Sequence, residues 1–196
     1  MIRSPLRAGI ALACALSLSA CGGGSGDVYV GGSALGVTKP GLVLTNNGGD
    51  DLAVPISGSF FFATRVETDA GFDVKVKSVP PNVDGIANCV VSGGTGKAVF
   101  NITSVVVRCT IRTHALGGNV IGLNGATGLV LVNGADRKEI VPSGANPQAF
   151  AMAPVSEDSP YGISILKQPD GRSCAVEGAS GFMRDTDIAS IVVRCV

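Results

Sequence analysis

Hydrophobic and polar residues alternate along several short stretches of the chain. Phe72, Val74 and Val76 alternate with charged residues, and a period of two is typical of a strand with one buried face. The β-branched runs at 105–107 and 191–193 also favour strands. No stretch combines a helical period with capping residues. The pattern therefore predicts an all-β fold.

Turn signals divide these stretches at regular intervals. They are Asn46-Asn47-Gly48-Gly49, Asp84-Gly85, Asn133-Gly134 and Asp170-Gly171. Asn, Asp and Gly tolerate the positive φ angles of tight turns, and the spacing of the turns is typical of a sandwich or barrel. Units of about 80 residues with about seven short strands suit an immunoglobulin-like or transthyretin-like β-sandwich, between which the sequence does not choose.

Several motifs occur twice in the same order. Gly31-Gly32 recurs as Gly117-Gly118, Gly41-Leu42-Val43-Leu44 as Gly128-Leu129-Val130-Leu131, and Val105-Val106-Val107-Arg108-Cys109 as Ile191-Val192-Val193-Arg194-Cys195. A fixed period of this kind indicates an internal repeat. We therefore predict two tandem β-sandwich repeats, residues 28–111 and 113–196, with Ile111 to His114 forming a short connector.

The N-terminal residues have the pattern of an export signal. A basic start with Arg3 and Arg7 precedes an apolar core, which is too short to span a bilayer as a helix. The segment ends in Leu18-Ser19-Ala20-Cys21, which resembles the lipobox of bacterial lipoproteins. The resemblance implies that signal peptide 1–20 is removed and that Cys21 is lipidated; the alternative is a plain secretory signal.

The residues after Cys21 are small and polar. Residues 21–27 are expected to form a lipidated flexible tether, because Gly and Ser dominate them. Gly22 follows the cysteine, whereas Asp at this position favours retention in the inner membrane among the lipoproteins of enteric bacteria. By this resemblance we expect lipid anchoring at the bacterial outer membrane, with the face of the membrane left open.

Six cysteines are present, of which Cys14 and Cys21 lie in the N-terminal segment. The remaining four fall two per predicted repeat, and three pairings are possible. The pairs Cys89–Cys109 and Cys174–Cys195 are favoured, because each repeat then closes its own bridge in an oxidising compartment. The alternatives are free thiols or a metal site, but the chain has no closely spaced cysteine pair of the kind that zinc sites use.

Composition narrows the possible chemistry. Fifteen basic and fifteen acidic residues balance, so we expect no nucleic-acid partner. The single histidine, His114, is expected to be a solvent-facing residue of the connector, with no serine elbow to complete a catalytic triad. Gly93 to Ala98 departs from the phosphate-loop pattern and indicates a hairpin turn. We expect no catalytic residue, no metal and no cofactor.

Two further clusters leave alternatives open. Asp50-Asp51, or Asp185 with Asp187, supplies oxygens of the type that calcium prefers, but neither cluster fits the EF-hand pattern and solvated turns are the default interpretation. The run Phe60-Phe61-Phe62 would bury either its outer two rings or the middle one.

The combined motifs resemble those of a family of proteins. They are the lipobox, Asn46-Asn47-Gly48-Gly49-Asp50-Asp51-Leu52, Ser57-Gly58-Ser59-Phe60-Phe61-Phe62-Ala63-Thr64 and Gln168-Pro169-Asp170-Gly171-Arg172-Ser173-Cys174. In these the chain resembles uncharacterised bacterial lipoproteins and exported proteins that carry such cysteine-containing β-sandwich units singly or in tandem. The resemblance implies architecture and says nothing of activity.

The sequence as a whole favours a non-enzymatic, lipid-anchored envelope protein that acts as a structural or interaction module, including an adhesive one. Its partners would be the membrane, through the lipid, and an envelope or surface protein. The alternatives are a small-ligand or calcium-binding module and a carboxylate-dependent hydrolase of the cell envelope.

Overall fold

The structure is a computed structural model that describes residues 26–196. The predicted signal peptide 1–20 and the predicted lipid attachment site Cys21 lie outside the described residues. Within 26–196 the regular elements are all strands except for one 3₁₀ turn at Ile86–Asn88. No helix in this range is long and apolar enough to cross a membrane.

Residues 26–111, the first half, form two four-stranded sheets. The strands are β1 (Val30–Leu35), β2 (Leu42–Asn46), β3 (Gly49–Val54), β4 (Gly58–Phe61), β5 (Gly71–Ser78), β6 (Cys89–Ser92), β7 (Thr95–Lys97) and β8 (Ile102–Cys109). One sheet has the order β4-β1-β8-β6 and the other β3-β2-β5-β7. β1 and β8 run parallel, and the other pairs are antiparallel.

Residues 112–196, the second half, follow the same plan. Their strands are β9 (Thr113–His114), β10 (Leu116–Ile121), β11 (Leu129–Asn133), β12 (Asp136–Ile140), β13 (Gln148–Ala151), β14 (Val155–Ser156), β15 (Pro160–Lys167), β16 (Cys174–Glu177), β17 (Ser180–Phe182) and β18 (Ile188–Cys195). The orders are β13-β10-β18-β16 and β12-β11-β15-β17, with β9 and β14 as an additional pair. β10 and β18 run parallel, as β1 and β8 do.

Each half encloses a hydrophobic core between its two sheets. In β5, Phe72 and Val74 are buried whereas Lys75 is exposed, as the alternation predicted. The all-β sandwich fold is thus confirmed. The strand order differs from the immunoglobulin arrangement, in which the first two strands share a sheet, because β1 pairs with β4 and β8 while β2 lies in the opposite sheet.

The recurring Gly-Gly motif has a steric cause. A Cβ on Gly32 would lie 1.8 Å from the carbonyl oxygen of Val105, and one on Gly118 would lie 1.8 Å from that of Ile191. Both glycines sit where the register shifts between the first long strand of the half and its last strand. Only glycine allows the two backbones to approach so closely.

The phenylalanine run follows the first of its two predicted arrangements. Phe60 and Phe62 are buried and Phe61 is exposed. The two buried rings meet edge to face with their centroids 6.0 Å apart, a favoured aromatic geometry. The run therefore contributes to the core and does not form an exposed aromatic stripe.

The predicted hairpin at Gly93 is wrong. β6 pairs with β8 in one sheet, whereas β7 pairs with β5 in the other. Gly93, at a φ of 65°, and the buried Gly94 carry the chain across the sandwich. A Cβ on Gly94 would lie 3.0 Å from the carbonyl oxygen of Val74 in β5, so close approach to the opposite sheet, and not a tight turn, accounts for this glycine.

Two disulfides join Cys89 to Cys109 and Cys174 to Cys195, the pairing that the sequence favoured. In each pair the cysteines lie directly opposite one another in register. The bridges fasten the edge strands β6 and β16 to the last strand of their respective halves. Each half therefore has its own covalent crosslink.

Candidate functional site

The connector between the halves is not an exposed linker. His114 lies in β9, which pairs with β14, and its side chain is only 10% exposed. The prediction of a solvent-facing His114 is therefore wrong. The physical reason is that strand pairing draws the connector into the second half, where Nε2 of His114 lies 3.5 Å from Oε2 of Glu157.

Glu157 is the centre of a charged cluster between the halves. Its side chain is 3% exposed, and Nζ of Lys39, from the first half, donates to Oε1 at 2.5 Å. Nη1 of Arg112, from the connector, lies 3.5 Å from Oε2. A buried carboxylate needs such partners because desolvation disfavours an unpaired charge. One side chain thus takes its cationic neighbours from both halves of the chain.

A second set of contacts surrounds the fully buried side chain of Asn82. Its Nδ2 donates to Oγ1 of Thr38 at 2.7 Å and to Oδ2 of Asp158 at 3.0 Å. Lys39 also lies 3.2 Å from the Asp158 carboxylate. Oδ1 of Asn82 has no hydrogen-bond partner, so this amide satisfies its donor and leaves its acceptor unused.

Arg112 connects the two sets through its side chain and its backbone. Its Nε donates to Oδ1 of Asp84 at 2.8 Å. Its backbone N–H donates to the carbonyl of Asn82, and its carbonyl accepts from the backbone N–H of Glu157, both at 2.9 Å. The connector is therefore hydrogen-bonded to both halves at a single residue.

The charges of this region perturb its cations. The hydrogen bond to Glu157 raises the pKa of the Lys39 ammonium, and desolvation of the ammonium offsets only part of that increase. The hydrogen bond to Asp84 raises the pKa of Arg112. Both cations therefore stay charged at neutral pH and are held in that form by their carboxylate partners.

We call this set of residues the junction cluster. It consists of Thr38, Lys39, Asn82, Asp84, Arg112, His114, Glu157 and Asp158. An open cleft of about 440 Å³ lies beside it, lined by Lys39, Pro81, Arg112, Glu157, Asp158, Arg184 and Asp185. The lining has three cations and three anions and so has no net charge.

The contacts of the cluster hold its side chains in fixed positions. The Glu157 carboxylate is occupied by cationic neighbours, and within the described residues His114 has no serine or cysteine as a hydrogen-bond partner. A nucleophile and its base must lie within hydrogen-bond reach. The arrangement is instead suited to fixing one half against the other.

Of the aspartates considered for calcium, Asp185 lines the cleft beside the junction cluster, and the other three make contacts within the fold. Asp50 accepts a hydrogen bond from the backbone N–H of Thr64 at 3.1 Å, and Asp51 pairs with Lys77. Asp187 accepts from the backbone N–H of Ala115 at 2.8 Å. Residues 26–196 contain no group of three or more His, Cys, Asp or Glu side chains placed to hold a metal ion.

Sequence reasoning missed the most important residue of the cluster. Glu157 lies in a polar stretch that gives no sign of burial, and its partners Lys39 and Arg112 are distant in sequence. The one available signal was the single histidine beside Arg112 in the connector. The burial of this region depends on the contact between the two halves, and the sequence pattern of each repeat carries no information about that contact.

No protein-family model matches the sequence, and no curated protein matches it significantly. The function is therefore inferred from the geometry of the junction cluster, from the disulfides and from the N-terminal sequence.

Proposed function

We propose that the protein is a non-enzymatic, lipid-anchored module of the bacterial outer membrane. Signal peptide 1–20 is removed, Cys21 carries the lipid, and residues 21–27 join it to two tandem sandwich repeats, 28–111 and 113–196. The role is structural or interactive: the repeats hold a set of loops at a fixed position relative to the envelope for contact with a protein partner.

The observation that carries the positioning role in this proposal is the shared carboxylate of the junction. Glu157 is buried and paired with Lys39 and Arg112, and removing a partner of a buried charge is costly. Independent movement of the halves would expose or unpair this group. The two sandwiches therefore act as one unit, as a positioning role requires.

The cysteines support export. All four cysteines of the described residues are joined in disulfides, and such bridges persist mainly in oxidising compartments. A basic start, an apolar core and Cys21 at the end of that core agree with this location. A lipid is then the means by which the chain is held at the membrane.

The proposed contact surface lies at the end of the second half that is opposite the junction cluster. Gly36 and Gly122 correspond, because both have positive φ and both lie against the carbonyl of the last cysteine of their half. The loop after Gly36 supplies Thr38 and Lys39 to the junction. Its counterpart, which contains Asn124, lines a surface pocket of about 100 Å³ and is the loop that a partner would meet.

In-cell photo-crosslinking tests this function. A photoreactive residue at Asn124 should give a discrete adduct with an envelope protein, and the adduct should decrease when Cys21→Ser removes the anchor. The matched control is the same residue at Lys75, which is exposed on a sheet face. Equal adducts from both positions, or none from Asn124, would overturn the proposed contact surface.

A further inference from the structure

The end of the first sandwich at which the chain enters exposes apolar side chains. Phe100 is 69% exposed, Val99 is also exposed, and Tyr29 is exposed beside them. The backbone N–H of Tyr29 donates to Oδ1 of Asn101 at 3.0 Å, and the N–H of Ile102 donates to the Tyr29 carbonyl at 2.8 Å. These contacts place the exposed loop next to the first described residues. We call Tyr29, Val99 and Phe100 the entry patch.

The second half has the same contacts at its own entry. The backbone N–H of Ala115 donates to Oδ1 of Asp187 at 2.8 Å, and the N–H of Ile188 donates to the Ala115 carbonyl at 2.9 Å. The segment 99–101 of the first half therefore corresponds to 184–187 of the second. A preceding buried residue, Ala98 or Met183, anchors each segment.

The two corresponding loops differ in chemistry according to what they face. In the second half the loop carries Arg184 and Asp185, which line the polar cleft beside the first half. In the first half the same place carries Val99 and Phe100. A charged loop thus lies against a polar protein surface, whereas the apolar loop lies beside Tyr29, at the end where the described chain begins.

Chain length limits the distance between the entry patch and the predicted anchor. Val28 is seven positions after Cys21, and even a fully extended chain spans at most about 25 Å over that distance. If Cys21 carries a lipid, this end of the sandwich stays within that distance of the bilayer surface.

We propose that the entry patch inserts into the lipid surface at the base of the anchored protein; this rests on the proposed lipid anchor. Phe100 and Val99 would enter the interfacial region. Tyr29 has an apolar ring and a polar hydroxyl, as side chains at membrane interfaces often do. Cζ of Arg65 lies 3.9 Å from the centre of its ring, which keeps a cation at headgroup level.

The charges around the patch make the contact mainly hydrophobic. The basic residues near it are Arg65, which stacks on Tyr29, and Lys97. The acidic ones are Asp27, Glu67 and Asp69, which lie on or beside the paired segments Val28–Val66 and Ala98–Asp69. These nearly balance, so attraction to anionic lipid contributes little. Insertion should therefore occur in zwitterionic vesicles and depend weakly on salt.

The chain contains no tryptophan, so Phe100→Trp introduces a single fluorescent probe at the patch. The mature chain, residues 21–196, also has one unpaired thiol when it is not lipidated, because the other four cysteines form disulfides. That Cys21 thiol is coupled to maleimide phosphatidylethanolamine in phosphatidylcholine vesicles. Coupling replaces natural acylation, so the outcome does not depend on whether cells lipidate Cys21.

Brominated phosphatidylcholine quenches tryptophan that enters the bilayer. We expect Phe100→Trp to be quenched several-fold more strongly than the control Phe182→Trp, whose side chain is similarly exposed at 64% in the second half. Strong quenching that persists in high salt supports the proposal. Equal, weak quenching at both positions on the coupled vesicles overturns it. Failure of the anchor itself is seen separately, as absence of acylation in cells.

Discussion

At the scale of single residues, the repeated glycines are required by contact between backbones. Gly32 and Gly118 occupy matching places at which a Cβ would overlap a carbonyl oxygen of the neighbouring parallel strand. Relief requires a shift of the strand pair, because a backbone carbonyl cannot rotate away as a side chain can. Overpacking of this kind destabilises a fold.

We predict that Gly118→Ala lowers the free energy of unfolding in urea by about 3 kcal/mol. The control is Gly162→Ala in β15, where no atom lies within 4 Å of the added Cβ. That change should alter stability by less than about 0.5 kcal/mol. Equal losses in the two variants would contradict the steric explanation.

The junction cluster makes a second prediction at this scale. Lys39→Met removes the nearest cation from the buried Glu157 and should lower the free energy of unfolding by more than the loss of an exposed ion pair does, because a buried acceptor loses its partner. Lys75→Met removes an exposed ion pair with Asp73 and should cost at most about 1 kcal/mol. Urea unfolding measures both. A larger loss for Lys75→Met would refute the importance assigned to Glu157.

The same ion pair should respond to alkaline pH. The folded pKa of Lys39 is raised above its usual 10.5 by Glu157, so its contribution is fully present below pH 10.5 and is lost as pH rises through the folded value. The stability difference between the wild type and Lys39→Met should therefore be constant at neutral pH and shrink above 10.5. A stability difference that grows with pH would mean that folding lowers the pKa of Lys39, which would contradict this prediction.

At the scale of strands, each disulfide stabilises an edge. The bridge between Cys174 and Cys195 joins β16 to β18 and closes a loop of 21 residues. The double variant Cys174→Ala with Cys195→Ala should lose about 3 kcal/mol of unfolding free energy in the chain-entropy description. Reducing the wild type should also weaken it. No change in the double variant would mean that strand pairing alone holds this edge.

Strand identity was largely predictable because it depends on local pattern. The alternation around Phe72 and Val74 and the β-branched final strands predicted elements that the structure contains. The crossing at Gly93 was missed, because a glycine pair before a short polar strand has the same local sequence in a hairpin and in a crossover. Only the partner strands, β8 and β5, distinguish them.

At the scale of the whole molecule, the junction could not be predicted. Its groups come from places more than one hundred residues apart: Lys39 and Glu157 are separated by 118 positions. Neither has a hydrophobic or turn pattern that marks it for burial. The cysteine pairing could be predicted because each repeat contains two cysteines, which favours one bridge within each repeat. A polar contact between the halves has no such periodic pattern in the sequence.

In the proposed role, one end of the molecule faces the membrane and the other end faces a protein partner. The first sandwich lies nearest the predicted anchor, the junction fixes the second sandwich on it, and the loop at Asn124 lies at the far end of the second. The orientation of this unit relative to the membrane depends on Cys21 being the point of attachment.

The most direct test is the intact mass of the protein purified from membranes of bacteria producing the full chain. We expect a chain that lacks residues 1–20, begins at Cys21 and carries the mass of attached acyl groups, all of which Cys21→Ser abolishes. A chain that retains residues 1–20, or is cut elsewhere and carries no acyl group, would refute the proposed lipid anchor.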